Sequence, residues 1–171
     1  SHISCLGGTM ILVSNDRFFV NGIQLLASEY RSLNDPELMI LDFSPFIYII
    51  NAKWYYRQRF ESPLTALQYC NKFLYLKSIK LNTFLKVVNA NKKKKNVFLL
   101  RNITTTELTI IKSICNGVAQ NVIAGQLSRS IKTINAHKMR ALYKLGVDDI
   151  RTFYHLLNLW ECLWPKLRQT D

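Results

Sequence analysis

The sequence predicts two domains of different class, an α/β N-terminal half and an all-α C-terminal half of four helices. In residues 10–91 short apolar runs alternate with amphipathic stretches, the pattern of strands and helices that share a sheet. From Thr104 onward apolar residues recur at helical spacing, punctuated by helix caps. Between the two lies Lys92-Lys93-Lys94-Lys95, a charge run of the kind that fills solvated linkers and, beside a nucleic-acid-binding domain, can serve as a phosphate-contacting arm. The expected boundaries are residues 10–91, a basic linker at 92–102, and residues 103–165. Residues 1–9 (SHISCLGGT) have no initiator methionine and read as a cloning remnant, with the natural start expected at Met10.

Composition narrows the function classes. Apolar residues make up 49% of the 171, enough to build cores and too many for a disordered chain. A formal net charge of +12 and a pI of about 9.7 favour an anionic partner. Cys5, Cys70, Cys115 and Cys162 show neither metal-ligand spacing nor a disulfide framework, so no metal and no cofactor is indicated and a reducing cytoplasm fits. No apolar run reaches the roughly 18–20 residues that span a bilayer. The chain carries no glycine-rich phosphate loop, metal set or catalytic triad, which argues against an enzyme.

In the N-terminal half, Met10–Ser14 (MILVS), the polar Asn15-Asp16-Arg17 and the amphipathic Phe18–Tyr30 read as strand, turn and helix. Pro36–Ser44 (PELMILDFS) is a strand ending near Asp42. Phe46–Phe60 (FIYIINAKWYYRQRF) is either a strand with a helical tail or one helix; apolar periodicity does not separate the two. Ser62-Pro63 caps and opens a short helix through Cys70. Leu74–Ser78 is a strand containing Lys77, and Leu81–Asn91 is a helix.

In pieces, this half resembles a phosphoacceptor receiver domain. The resemblance puts Asn15-Asp16-Arg17 at the acidic metal-binding pair, Asp42 at the phosphoacceptor and Lys77 at the essential lysine. Asp16, Asp42 and Lys77 would then be a vestigial receiver site, since Asn15 stands where the first acid belongs. Between Leu33 and Pro36 there is no room for an edge strand and the crossover of roughly ten or more residues that follows it. The expectation is a truncated receiver-like domain, rebuilt locally, without the second strand and second helix. Its short connections argue against Lys77 reaching the carboxylates. Asp42 and Lys77 would remain as an inert ion pair or as surface charges, and activity would not depend on phosphorylation.

The C-terminal half opens on Thr104-Thr105-Thr106-Glu107, a capping box: Thr104 caps and Glu107 reaches back. The helix it starts carries Leu108, Ile111, Ile114 and Cys115 inward and ends near Asn116-Gly117. A short helix at 119–127 presents Val122, Ile123 and Leu127, and a tight Ser128-Arg129 connection follows. Leu127–Gly146 (LSRSIKTINAHKMRALYKLG) then holds Arg129, Lys132, Lys138, Arg140 and Lys144 and no Asp or Glu. Ser130 is its N-cap, Gly146 its stop, and Ile134, Ala141 and Leu145 its inward stripe. Helix, short helix, brief turn and basic helix make a helix-turn-helix, and a cationic cylinder about 10–12 Å wide fits a DNA major groove. Asp148 or Asp149 caps a fourth helix, about 150–160, carrying Ile150, Phe153, Tyr154, Leu157 and Trp160. Trp160 and Trp164, beside Pro165, make an aromatic tail that covers the N-terminal domain or a second subunit.

Residues 103–157 resemble the LuxR/FixJ-type domain of bacterial response regulators and quorum-sensing regulators. Ile103, Thr104, Glu107, Gly117, Ile123-Ala124, Leu127, Ser130, Lys132-Thr133-Ile134, His137 and Lys144-Leu145-Gly146-Val147 carry that resemblance, which is nearest the enterobacterial Rcs capsule-regulator branch. It implies a sequence-specific regulator on double-stranded DNA, acting as a homodimer or as a heterodimer with another regulator; the fourth helix is commonly the dimer contact. The candidate DNA-binding set is Arg129, Ser130, Ile131, Lys132, Thr133, Asn135, His137, Lys138, Met139 and Lys144. Lys132 and Lys144 would neutralise phosphates, and the Ser130 end would turn the helix's positive pole to the backbone. Ile131, Asn135, Lys138 and Met139 would reach base edges, Asn135 suiting adenine and Lys138 guanine. Thr133 and His137 fit helix packing or phosphate contact as well as base contact, and His137 has no nucleophile or carboxylate partner for catalysis. Two departures, Ala119 at the second helix's cap and Val122 where the family usually has Glu, weaken that helix slightly. The alternative is an interaction module that pairs with another regulator, its DNA affinity auxiliary.

Overall fold

The computed structural model describes residues 2–6, 9–93 and 102–168, so the expected linker at 92–102 lies outside it except at its ends. The chain forms two compact units. Ser1–Val97 together with Leu159–Asp171 make the first, and Phe98–Asn158 the second. The first unit is α/β and the second all-α. The unit boundary thus falls before Trp160, short of the expected domain end at residue 165.

The first unit is built on a five-stranded sheet in sequential order: β1 (His2–Leu6), β2 (Met10–Ser14), β3 (Leu38–Phe43), β4 (Phe46–Asn51) and β5 (Leu74–Leu76). Five residues of the expected cloning remnant are β1, paired antiparallel with β2 from His2↔Ser14 to Leu6↔Met10. β2 and β3 are parallel neighbours, joined by α1 (Arg17–Glu29) and a 3₁₀ turn at Arg31–Leu33, so no strand stands between them. β3 returns through Ser44-Pro45 into β4, antiparallel and in register from Phe43↔Phe46 to Leu38↔Asn51. The ambiguous stretch is therefore a strand with a helical tail, α2 (Ala52–Gln58), whose cap Asn51 accepts from the Trp54 N–H at 2.8 Å. Ser62 caps α3 (Pro63–Cys70), and α4 (Leu81–Lys93) follows β5.

Side chains alternate across the strands and supply a core to each face. On one face Leu12, Ile40, Ile47 and Ile49 are covered by Ile23 and Ala27 of α1 and by Phe84 and Val88 of α4. Asn91 pins α4 by donating to the Ile49 carbonyl at 2.7 Å. On the other, Phe43 and Tyr48 meet Trp160 with ring centroids 5.2 Å apart, and Tyr55 stacks on the same indole at 6.2 Å. The buried Tyr48 hydroxyl accepts from Trp160 Nε1 (3.2 Å) and donates to Asn71 Oδ1 (3.1 Å), leaving no polar atom of that pair unmet. Burial pushes this phenol well above its ordinary pKa. Trp160 therefore covers the N-terminal unit.

The second unit stacks α5 (Thr105–Cys115), α6 (Gln120–Gln126), α7 (Ile131–Leu145) and the start of α8 (Ile150–Arg168). Ile110, Ile123, Ala124 and Ile134 form a tight core. The inward assignments change on two helices. Ile110 is fully buried while Leu108 is half-buried, and α6 buries Ile123 and Ala124, leaving Val122 and Leu127 48% and 37% exposed. With only seven residues, α6 has one face to spare for the core. Asp149 is the cap of α8, accepting from the Thr152 N–H at 2.8 Å. α8 runs beyond the expected stop at Trp160 and through Pro165, and Tyr154 lies 48% exposed. Pro165 removes one backbone hydrogen bond from its last turns, where buried Leu163 and Leu167 hold the helix.

Candidate nucleic-acid interface

α7 is closed at both ends by its own sequence. Ser130 Oγ accepts from the Thr133 N–H at 3.1 Å, and Gly146 takes φ +69°, where a side chain would be strained. Ile134, Ala141, Leu142 and Leu145 are buried, which turns the opposite side of the helix outward. There Ile131, Asn135, Met139 and Tyr143, four residues apart, form one exposed ridge, with Lys132, Ala136 and Arg140 beside it. Arg129 and Ser130 are exposed at its entry, and α7 itself contains no carboxylate.

The other expected contacts stand at the border of this surface. Thr133 is half-buried with its hydroxyl 2.8 Å from Ser130 Oγ. His137 is half-buried too, Nδ1 lying 2.9 Å from Arg140 Nη2. Lys138, one turn from buried Ile134 and Ala141, is half-buried.

Lys144 is a correction. Its ammonium faces inward, 2.7 Å from Glu107 Oε2 and 3.1 Å from the Asn102 carbonyl, and so is unavailable to a phosphate. Glu107 completes the capping box by accepting from the Thr104 N–H at 3.0 Å, and Arg140 Nε approaches its other oxygen at 3.7 Å. Burial raises the Glu107 pKa, but Lys144 and the Thr104 hydrogen bonds outweigh it and hold the carboxyl below its ordinary value. One buried acid thereby ties the start of α5 to the last turns of α7. The capping box flagged Glu107 in the sequence; nothing there flagged a partner 37 residues away.

The receiver-like constellation in the first unit is assembled, against the expectation that Lys77 falls short. Asp16 Oδ1 caps α1 through the Phe18 and Phe19 N–H groups, and its Oδ2 accepts from Lys77 Nζ at 2.9 Å. Asp42 Oδ2 accepts from Lys77 Nζ at 2.8 Å and from the Ser14 hydroxyl at 2.6 Å. The β3–β4 hairpin explains the reach: the Lys77 N–H donates to the Pro45 carbonyl at 2.8 Å, bringing the end of β5 to the turn that follows Asp42. Lys77 and Asp42 are an ion pair. Burial raises the Asp42 pKa, yet Lys77, Ser14 and Ser44 together pull it below the usual carboxylate value. The receiver resemblance implies a divalent cation here, and the donor set does not fit one. It offers two carboxylates, each with an oxygen on an ammonium, and exposed Asn15 in place of a third acid.

Residues 101–157 match the family of bacterial regulatory proteins called the luxR family. The second unit carries a LuxR-family helix-turn-helix. The match to this family ends one residue before that unit does. The transcriptional activator protein BglJ of Escherichia coli (strain K12) is 45% identical over 63 residues. That stretch covers 37% of this chain and 28% of BglJ, so the likeness spans little more than a quarter of that relative. No solved structure matches the chain. In the LuxR-family unit the exposed ridge of α7 carries no acid, and no helix among the described residues is long and apolar enough to cross a membrane.

Proposed function

We propose that this chain is a sequence-specific DNA-binding transcription regulator that works without phosphorylation. The observation that carries the reading is the exposed, carboxylate-free ridge of α7, capped at its entry by Ser130. Set in a major groove, Arg129 and Lys132 neutralise phosphates and the helix N-terminus turns its partial positive charge to the backbone. Asn135 offers a paired donor and acceptor to adenine, while Ile131 and Met139 give apolar contact to a thymine methyl group. Lys138 reaches a base only from the border of this surface, so it ranks behind Asn135. The regulator reading is supported by the luxR-family match and by likeness to a transcriptional activator.

The test separates positioning from reading. Lys132→Ala should weaken binding to cognate and random duplexes alike, whereas Asn135→Ala should cost about 1–3 kcal/mol on the cognate site and relax one base position. Fluorescence anisotropy on sites selected from a random pool measures both. Identical behaviour of the two variants on both duplexes would sink the assignment.

Independence from phosphorylation is supported by Lys77, which sits on the oxygens a cation would need. Incubation with a small phosphodonor and Mg²⁺ should add no mass to the protein. A stoichiometric adduct that disappears in Asp42→Ala, together with changed DNA affinity, would restore an ordinary phosphorylation switch.

A second reading, a module that pairs with another regulator, is favoured by α1. Phe18 and Leu25, seven residues apart on that helix, are 90% and 69% exposed. Protein that protects its DNA site only when a second regulator is added would favour pairing; protection by the chain alone would favour autonomous binding.

A further inference from the structure

The first unit contains a cleft of about 910 Å³ between α2 and the last turns of α8. Four cations line it, Lys53, Arg57, Arg59 and Arg168, and among the described residues no carboxylate does. Lys53 approaches Glu37 only at 3.7 Å, with both side chains about half exposed. Arg57, Arg59 and Arg168 have no ion-pair partner among the described residues. Cations near helix C-termini ordinarily answer the helix dipole, each on its own. Here two helix ends bring theirs into one cavity. Arg59 does so from a left-handed backbone (φ +48°), a position that favours glycine. The walls are aromatic: Tyr56, Phe60 and Trp164 are half-buried and line the same space.

We propose that this cleft binds a nucleotide carrying two or more phosphates. Clustered guanidinium groups match phosphate oxygens in paired hydrogen bonds, and one phosphate would leave most of them unanswered. An inorganic polyphosphate would leave the aromatic walls unused, whereas a nucleobase stacks on them. The volume lies in the range of small-molecule sites and exceeds what a lone phosphate fills. None of the lining residues belongs to α7, so the proposal stands whether or not the DNA-binding reading does.

Calorimetric titration of the full chain with ATP, GTP, tripolyphosphate and adenosine tests this. A nucleoside triphosphate should bind at least about tenfold tighter than tripolyphosphate or adenosine, the gain expected of base stacking. Arg57→Ala/Arg59→Ala, both exposed and checked by circular dichroism, should weaken ATP about tenfold or more through lost phosphate contacts. Trp164→Ala should bring ATP down to the affinity of tripolyphosphate while leaving tripolyphosphate unchanged. No nucleotide binding at millimolar concentration would overturn the proposal, as would equal affinity for ATP and tripolyphosphate. So would displacement of ATP by random duplex DNA with both ligands weakened in the arginine variant, which would make the cleft a track for DNA.

Discussion

Glu107 shows how much one side chain can hold at the residue scale. It completes the capping box of α5, receives Lys144 and neighbours Arg140, all while only 2% exposed. Glu107→Ala would lose a cap and leave a mostly buried ammonium without its counter-ion, a cost of about 2–4 kcal/mol. Urea unfolding followed by far-UV circular dichroism should register it. Lys144→Ala should destabilise the second unit as well, whereas Lys132→Ala, on the exposed side, should leave stability within about 0.5 kcal/mol of the parent. Because the folded carboxyl of Glu107 titrates below its ordinary value of 4.5, its contribution is complete above that pH. It is lost as pH falls through the lower folded value, and Glu107→Gln should flatten this acid limb. The sequence announced Glu107 through its own helix start, a contact three residues long. It assigned Lys144 to the DNA because a lysine in a basic helix carries no local mark of a buried partner.

At the scale of elements, caps were legible from near neighbours, whereas strand direction was not legible from the strands themselves. Thr104, Ser130, Gly146 and Ser62 act where the sequence expected, since capping is a conversation between near neighbours. The apolar run of β4 would read the same in either direction. Its orientation was nevertheless written in the two residues between Phe43 and Phe46, too few for anything but a hairpin. That hairpin, in turn, is why Lys77 reaches Asp42 although the connections are short. α6 is the element most open to improvement. Its N-cap, Ala119, has cap geometry (φ −65°, ψ 144°) and no side-chain hydrogen bond. Ala119→Ser should supply the missing acceptor and raise the melting free energy of the second unit by about 0.5–2 kcal/mol. No stabilisation in a thermal melt would mean that the first amides of α6 are already satisfied by water.

For the whole molecule, the division into an α/β and an all-α part was legible from periodicity, while the path of the chain between them was not. Composition could place Trp160 on an aromatic tail but could not choose what that tail covers. The structure puts Leu159–Asp171 with the first unit, so the second is an insertion within it. Trp160→Ala should cost about 3–5 kcal/mol and abolish much of the near-UV circular dichroism of the Phe43, Tyr48 and Tyr55 cluster. An unchanged near-UV spectrum would show that the cluster does not depend on the indole.

The same arrangement sets a timetable for synthesis. The last strand of the sheet, Leu74–Leu76, leaves the ribosome about 80 residues before Trp160, and the whole helix-turn-helix is made in the interval. At translation rates of roughly 5–20 residues per second, Phe43, Tyr48 and Tyr55 wait several seconds for the indole that packs against them. During those seconds the nascent chain offers an aromatic surface to chaperones and to its neighbours on the polysome. The folding of this face is therefore coupled to the speed at which the codons between β5 and α8 are read.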